Sequence, residues 1–319
     1  MMNKKLLLAA LVIAAALIAP VYIYPVLLMT ILCFAIFASS FNLLLGYAGL
    51  LSFGHAMFFG TSAYITGYIL KTTPVSLELA LIGGMLVSTV MAGVVGLLAI
   101  RRQGIQFAMI TLAFSQFVYF VLLQAPFTGG ENGMQGIPRN AVFGLIDVKD
   151  SFAFYYVVLA VSALALFLFY RIVNSPFGEI LRAIKDKEPR VESLGMKPEQ
   201  FKYLAFILSA SLAGLAGALK ATVFQFATLT DASWPISGEV ILMTLLGGLG
   251  TLSGPMFGAA IVVILNDELA GLGEWALIAQ GVILLVVIVF FRRGFVGELS
   301  ALIAKWKKPA AATGASATA

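Results

Sequence analysis

The chain has 319 residues, 61% of them hydrophobic and 11% charged. A soluble globular domain is about 25% charged, so an ordinary soluble fold is excluded and lipid becomes the principal solvent. The net charge of +5 does not mark a nucleic-acid surface, because the basic residues gather at the ends of apolar runs. The single cysteine, Cys33, excludes an intrachain disulfide or a cysteine-rich metal site.

A helix rising about 1.5 Å per residue needs about 20 apolar residues to cross the hydrocarbon. On that measure membrane segments are predicted at 6–24, 26–45, 51–70, 77–100, 104–124, 152–170, 202–226, 238–250, 252–269 and 275–291. The first follows Lys4 and Lys5 as a secretory signal would, but no small-x-small cleavage site comes after it, and it is read as an uncleaved span. With ten crossings and a cytoplasmic N-terminus, only Lys71, Arg139, Lys149 and Lys220 of the 20 lysines and arginines fall outside, as the positive-inside bias requires. Both termini are therefore expected in the cytoplasm. Residues 1–304 read as one membrane domain, and 305–319 as a polar, disordered cytoplasmic tail whose Lys-Trp-Lys-Lys start reads as an interfacial stop signal, with a rest on anionic headgroups as the alternative.

Two stretches break the pattern. The segment 238–250 is short for a crossing, and 46–60 is rich in glycine; irregular backbone at membrane depth is tolerated only where protein buries it or a wet cavity receives it. Both are candidates for the translocation path. They share a pattern, Leu44-Leu45-Gly46-x-x-Gly49-x-Leu51-Ser52 and Leu245-Leu246-Gly247-x-x-Gly250-x-Leu252-Ser253. The predicted topology runs both copies in the same direction, so they are not an inverted repeat, and local similarity from small-residue packing accounts for them equally well.

The polar insert 174–202 is the one sizeable hydrophilic block. Pro176 suits a helix start, and Phe177, Ile180, Leu181 and Ile184 form an apolar stripe at helical spacing, with Arg182, Lys185, Asp186 and Lys187 opposite. Such a helix could lie on the membrane or dock in a partner's groove.

The chain has no Gly-x-x-x-x-Gly-Lys-Ser/Thr loop to cradle nucleotide phosphates, and one histidine with one cysteine cannot form a metal cluster or a Cys/His nucleophile. No cofactor is expected in this chain. Ion-coupled carriers keep ionisable residues in mid-span, whereas Glu239, Asp267, Glu268 and Lys220 fall near predicted span ends and read as interfacial or pore-mouth residues.

Several runs in order and spacing carry a family resemblance: Gly49-Leu-Leu-Ser-Phe-Gly-His-Ala-Met-Phe-Phe-Gly60, Phe107-Ala-Met-Ile-Thr-Leu-Ala-Phe114, Thr128-Gly-Gly-Glu-Asn-Gly-Met-Gln-Gly-Ile-Pro138, the insert 175–195, the small-residue run 205–217, and Gly247-Gly-Leu-Gly-Thr-Leu-Ser-Gly-Pro255. From about residue 26 to 293 the chain resembles the LivM-type permeases of the branched-chain amino acid ABC transporters. The resemblance implies an all-α polytopic importer permease of about ten segments, some broken or re-entrant, in a bacterial inner membrane. It implies as partners a second, homologous permease, two cytoplasmic ATPase subunits holding ATP and Mg, and a periplasmic or extracellular amino-acid-binding protein.

On that resemblance 177–195 is the coupling segment, with Phe177, Gly178, Glu179, Ala183, Ile184, Glu188 and Gly195 as its candidate residues; Glu179, Ala183 and Gly195 match the Glu/Ala and Gly of the family's coupling loop. The candidate path residues are Ser52, Gly54, His55, Phe58, Gly60, Thr111, Ser115, Gln116, Gly247 and Gly250. For His55 a packing role, and for Thr111, Ser115 and Gln116 bonding between helices, are the competing readings. The glycine-rich loop 128–138, through Thr128, Gly129, Gly130 and Asn132, is the candidate contact for the binding protein, or a plain connection. Leucine, isoleucine or valine is the first expected solute, with urea or short amides and an ion-coupled amino acid carrier as alternatives.

Overall fold

A computed structural model describes residues 16–142, 150–273 and a few positions between 275 and 285. The predicted segment 6–24 is described only in part, as helix α1 over 16–22, and most of 275–291 and all of 305–319 lie outside the described residues. There follow α2 (Pro25–Asn42), α3 (His55–Thr72), α4 (Leu77–Ala99), α5 (Ile105–Gln124), α6 (Ser151–Val173), α7 (Pro176–Ser193), α8 (Pro198–Phe224), α9 (Trp234–Gly247) and α10 (Gly254–Leu269). Two short strands, β1 (Met134–Gln135) and β2 (Phe226–Ala227), pair antiparallel, with Met134 opposite Ala227.

Composition decides where each helix sits. On α4, Leu79, Ile82, Leu86, Val90, Val94 and Leu97 recur every three or four residues and are all exposed, a stripe that only lipid would solvate. Helix α8 is the opposite case. Its Ala205, Ser209, Ala213, Gly214 and Gly217 are buried against α2, α3 and α4, and small residues let these backbones approach closely. A Cβ at Gly217 would stand 1.9 Å from the Phe59 carbonyl oxygen, so only glycine fits where α8 crosses α3. Across the same core Ser88 on α4 donates to the Phe58 carbonyl at 2.8 Å.

Five helical stretches among the described residues are long and apolar enough to cross a membrane: Pro25–Tyr47, Leu77–Ala99, Ile105–Gln124, Ser151–Val173 and Pro198–Phe224. The molecule is thus a multi-pass, all-helical membrane protein. Helices α9 and α10 are shorter, 14 and 16 residues, and α3 starts at His55 rather than at 51, because 48–54 is non-helical.

One face of the bundle carries α7. The opposite face carries a crown built from 125–142, the short β pair and 225–233. Arg139 ties the crown down, donating to the carbonyls of Thr222 (3.2 Å) and Val223 (2.7 Å) in the last turn of α8, where a cation also meets the negative end of the helix dipole.

Candidate functional site

The two broken stretches meet. Helix α2 ends in a wide π turn over Leu43–Tyr47, and the chain turns away at Gly49 with φ +73°. Helix α9 ends at Gly247, and its chain turns at Gly250 with φ +71°. The two copies of the repeated pattern are therefore not merely alike in sequence: the last glycine of each holds the same left-handed conformation, which a side chain resists. The copies also face each other, a Cβ on Gly46 standing 2.7 Å from the Gly250 nitrogen.

Asn42, wholly buried one turn before Gly46, clasps the two copies together. Its Nδ2 donates to the Thr251 carbonyl at 2.8 Å, and its Oδ1 accepts from the Gly250 N–H at 2.9 Å. Each copy then turns back as a helix, α3 from the first and α10 from the second. The start of a helix inside the bundle leaves N–H groups with no water to satisfy them. Side-chain hydroxyls take that place: Thr111 accepts from Phe53 N–H (3.2 Å), Ser52 from Gly54 (3.3 Å), Ser237 from Ala56 (2.9 Å) and Thr251 from Gly254 (3.1 Å).

Among the candidate path residues, Ser52, Gly54, His55, Phe58, Gly60, Thr111, Ser115 and Gly247 are buried, while Gln116 and Gly250 are half-buried. Gly54 lies against the Thr111 backbone, Gly60 against Ala232 and Gly247 against Gly254, each too close for a Cβ. His55 Nε2 stands 3.1 Å from Ser40 Oγ and 3.2 Å from Ser209 Oγ, and Phe37, Phe41 and Phe58 enclose the ring. His55 thus joins α2, α3 and α8, and Ser52, Gly54, Thr111, Gly247 and Gly250 gather at the breaks, while Gly60 packs at the crown against Ala232. His55 Nδ1 and Ser115 Oγ have no partner among the described residues.

The insert folds as α7, kinked where Lys187 leaves helical geometry (φ −154°, ψ 92°) ahead of Pro189. Its apolar stripe faces the bundle: Leu181 and Ile184 are buried, and Phe177 lies on Phe201 at 6.1 Å between rings. Gly178 is demanded by the tight corner after α6, since a Cβ there would stand 2.1 Å from the Val173 carbonyl oxygen. Glu179 and Ala183 are exposed, and Gly195 takes φ +80° beyond the helix end. Glu188 pairs with Lys202 at 2.6 Å.

Lys185, placed by helical spacing on the polar face, is exposed, yet its ammonium reaches back to the bundle. Its Nζ donates to the Gly46 carbonyl at 2.7 Å, and its stem covers Gly49 with Cγ 3.1 Å from where a Cβ would be. Arg182 lies 5.0 Å over the Tyr47 ring. A cavity of about 360 Å³ opens beside this contact, lined by Leu45, Gly49, Gln103, Lys185, Glu188 and Lys202 among others. Helix α7 is thereby fastened to the very turn that Asn42 ties to α9 and α10. Sequence reading misses Asn42 and the hydroxyls of Ser40, Ser209 and Ser237, for which the available signal is a polar residue standing within a long apolar run, and it places Lys185 on the polar face without its contact to Gly46.

At the crown, Thr128 is buried, donating its hydroxyl toward the Leu122 and Ala125 carbonyls, and Gly129 and Gly130 take positive φ. Asn132 is exposed. Lys220, expected near a span end, lies one turn from the end of α8 and is buried, bonding both carboxylate oxygens of Asp231 at 2.7 Å. Among the described residues no group of three or more His, Cys, Asp or Glu could hold a metal ion.

The sequence profile of the family described as "Branched-chain amino acid transport system / permease component" matches residues 23–291. The chain belongs to that family. The permease is similar to the high-affinity branched-chain amino acid transport system permease protein LivM of Salmonella typhimurium, 27% identical over 82% of this chain and 67% of the relative. It is 26% identical over the same shares to LivM of Escherichia coli, and 25% identical to a probable LivM of Methanocaldococcus jannaschii over 72% of this chain and 76% of the relative. Over a shorter stretch, 40% of this chain, it is 30% identical to the autoinducer 2 import system permease protein LsrC of Salmonella paratyphi B. No solved structure matches. The matched region takes in the broken stretches, α7 and the crown loop alike, so the family assignment as a transport-system permease component covers all three.

Proposed function

We propose that this permease is the translocation subunit of an ATP-driven importer of branched-chain or similar small hydrophobic amino acids. It has about ten membrane segments, both termini and α7 in the cytoplasm, and the crown outside. Two separate ATPase subunits bind ATP and Mg and seat on the exposed face of α7. A second, homologous permease completes the pathway by alternating access, and a binding protein delivers solute to the crown at Thr128, Gly129, Gly130 and Asn132. The observation that carries this reading is the bond from Lys185 Nζ to the Gly46 carbonyl, because it gives a motion of α7 a direct grip on the broken helices. Supporting it, the outer face of α7 presents a groove of about 420 Å³ lined by Ala183, Asp186, Lys187, Arg190 and Leu194 among others. An engine elsewhere is needed because this chain has no phosphate-binding loop.

The test is leucine uptake by the permease reconstituted with its partner subunits in vesicles. ATP-dependent uptake is expected. Lys185→Met, which keeps the stem over Gly49 and removes the donor, is expected to lower the uptake rate about tenfold, the effect of losing a coupling free energy of about 1–3 kcal/mol. Uptake that ignores ATP and follows an ion gradient would overturn the reading.

A further inference from the structure

We propose that the crown holds an entry subsite for the zwitterionic end of an amino acid, read by the buried pair Lys220–Asp231. This rests on the amino acid reading above and adds the residues that recognise the solute within the permease itself.

The pair is unusual in its place. Lys220 and Asp231 are 8% and 5% exposed, one turn inside the crown end of α8, in a bundle whose solvent is lipid. Burying two charges costs several kcal/mol per ion even after relaxation, and an apolar pair of the same size commonly serves stability as well or better. Ionisable residues that turn into the interior of a membrane bundle and pair with one another there can mark solute or ion paths. The pair is also well made: Lys220 Nζ reaches Asp231 Oδ1 and Oδ2 at 2.7 Å each, and lies 5.3 Å and 5.2 Å over the rings of Phe224 and Phe226. Asp231 Oδ2 also accepts from the Thr228 N–H at 3.3 Å.

The neighbours of the pair, though not Lys220 or Asp231 themselves, wall a cavity. Phe224, Phe226 and Thr228, each touching one member of the pair, line an opening of about 460 Å³ together with Asn132, Gln135 and Gln225. That volume falls in the range of small-molecule sites, about 300–1,000 Å³. One layer of side chains thus separates solvent-accessible space from a cation and an anion held side by side. A zwitterionic α-amino acid carries the matching charges on one carbon. When its carboxylate takes Lys220 and its ammonium takes Asp231, every charge keeps a partner as the solute leaves water, and the two phenylalanines receive an aliphatic side chain. A solute with only one of the two groups would open the pair and leave one member unpaired, the costly outcome.

The native chain has one thiol, Cys33, and it is buried, so a cysteine placed in the cavity wall reports alone. Gln135 is exposed and lines the cavity, and Gln135→Cys in the reconstituted complex is labelled with a water-soluble thiol reagent. Leucine at about twice its dissociation constant is expected to slow labelling about threefold, by occupancy. Isocaproate and isoamylamine, which keep the side chain and one charge each, are expected to leave it unchanged. In the Gln135→Cys chain carrying Lys220→Met and Asp231→Leu, leucine protection is expected to vanish. No protection by leucine, equal protection by the singly charged analogues, or protection that survives the apolar pair would each overturn the subsite. Uptake of leucine by the complex is measured alongside: uptake without protection overturns the subsite alone, and absence of uptake overturns the amino acid reading beneath it.

Discussion

At the scale of the residue, Asn42 does the most with the fewest atoms. It is one amide in a helix of apolar neighbours, yet it satisfies a donor and an acceptor from a stretch of chain more than 200 positions away. Asn42→Leu keeps the branched shape and strips both bonds, leaving the Gly250 N–H and the Thr251 carbonyl without a side-chain partner where water is scarce. About 3 kcal/mol of stability should be lost, from two groups costing about 1–3 kcal/mol each, seen as a lower unfolding midpoint in detergent. Gly46 is legible in sequence as part of a repeated pattern. Its partner is not, because spacing reports what a residue is near along the chain and says nothing of which distant backbone its neighbour will clasp. The same limit hides Asp231: Lys220 is visible as a charge at a span end, but the carboxylate that buries it comes from a loop that reads as an ordinary turn.

At the scale of the element, hydropathy locates helices well where they face lipid and less well where they are broken. Segments 77–100 and 104–124 correspond to Leu77–Ala99 and Ile105–Gln124 within one residue, since lipid contact fixes both their length and their apolarity. The segment 51–70 is misplaced at its start, because hydropathy cannot see that Phe53, Gly54 and Ala56 find side-chain hydroxyls in place of helical carbonyls. The insert is amphipathic as its spacing predicts, but the stripe alone does not say whether lipid, a partner or this chain covers it; Leu181 and Ile184 pack on the bundle. The small-residue run of α8 carries the clearest element-level signal, and it supports a direct test. Gly217→Ala would set a methyl 1.9 Å from the Phe59 carbonyl oxygen and push α3 from α8, at about 2 kcal/mol, in the range of core overpacking. Thermal unfolding should register that loss, while Gly238→Ala, where nothing lies within 4 Å of the new atom, should leave stability nearly unchanged.

At the scale of the whole molecule, the bias of basic residues along the sequence predicts an orientation. The bundle has two distinct ends, α7 on one and the crown on the other, and the proposed function puts α7 in the cytoplasm. Single cysteines decide it, again because Cys33 is buried. In intact cells an impermeant thiol reagent should label Thr73→Cys, at the crown end of α3, and should reach Arg102→Cys, beside α5's start, only after the membrane is opened; the reverse pattern would invert the topology. Both native positions are exposed.

The two broken units, α2 with α3 and α9 with α10, descend toward α7 and return toward the crown in the same sense, for their turns touch at Gly46 and Gly250. Carriers assembled from oppositely oriented halves can interconvert by letting each half adopt its sibling's shape, which exchanges the open side. Units that point the same way cannot trade shapes to that end, since the trade returns the original sidedness. For the proposed importer, sidedness would then change by displacement of this body against the second permease, and a solitary copy, however well folded, would have nothing to swing against.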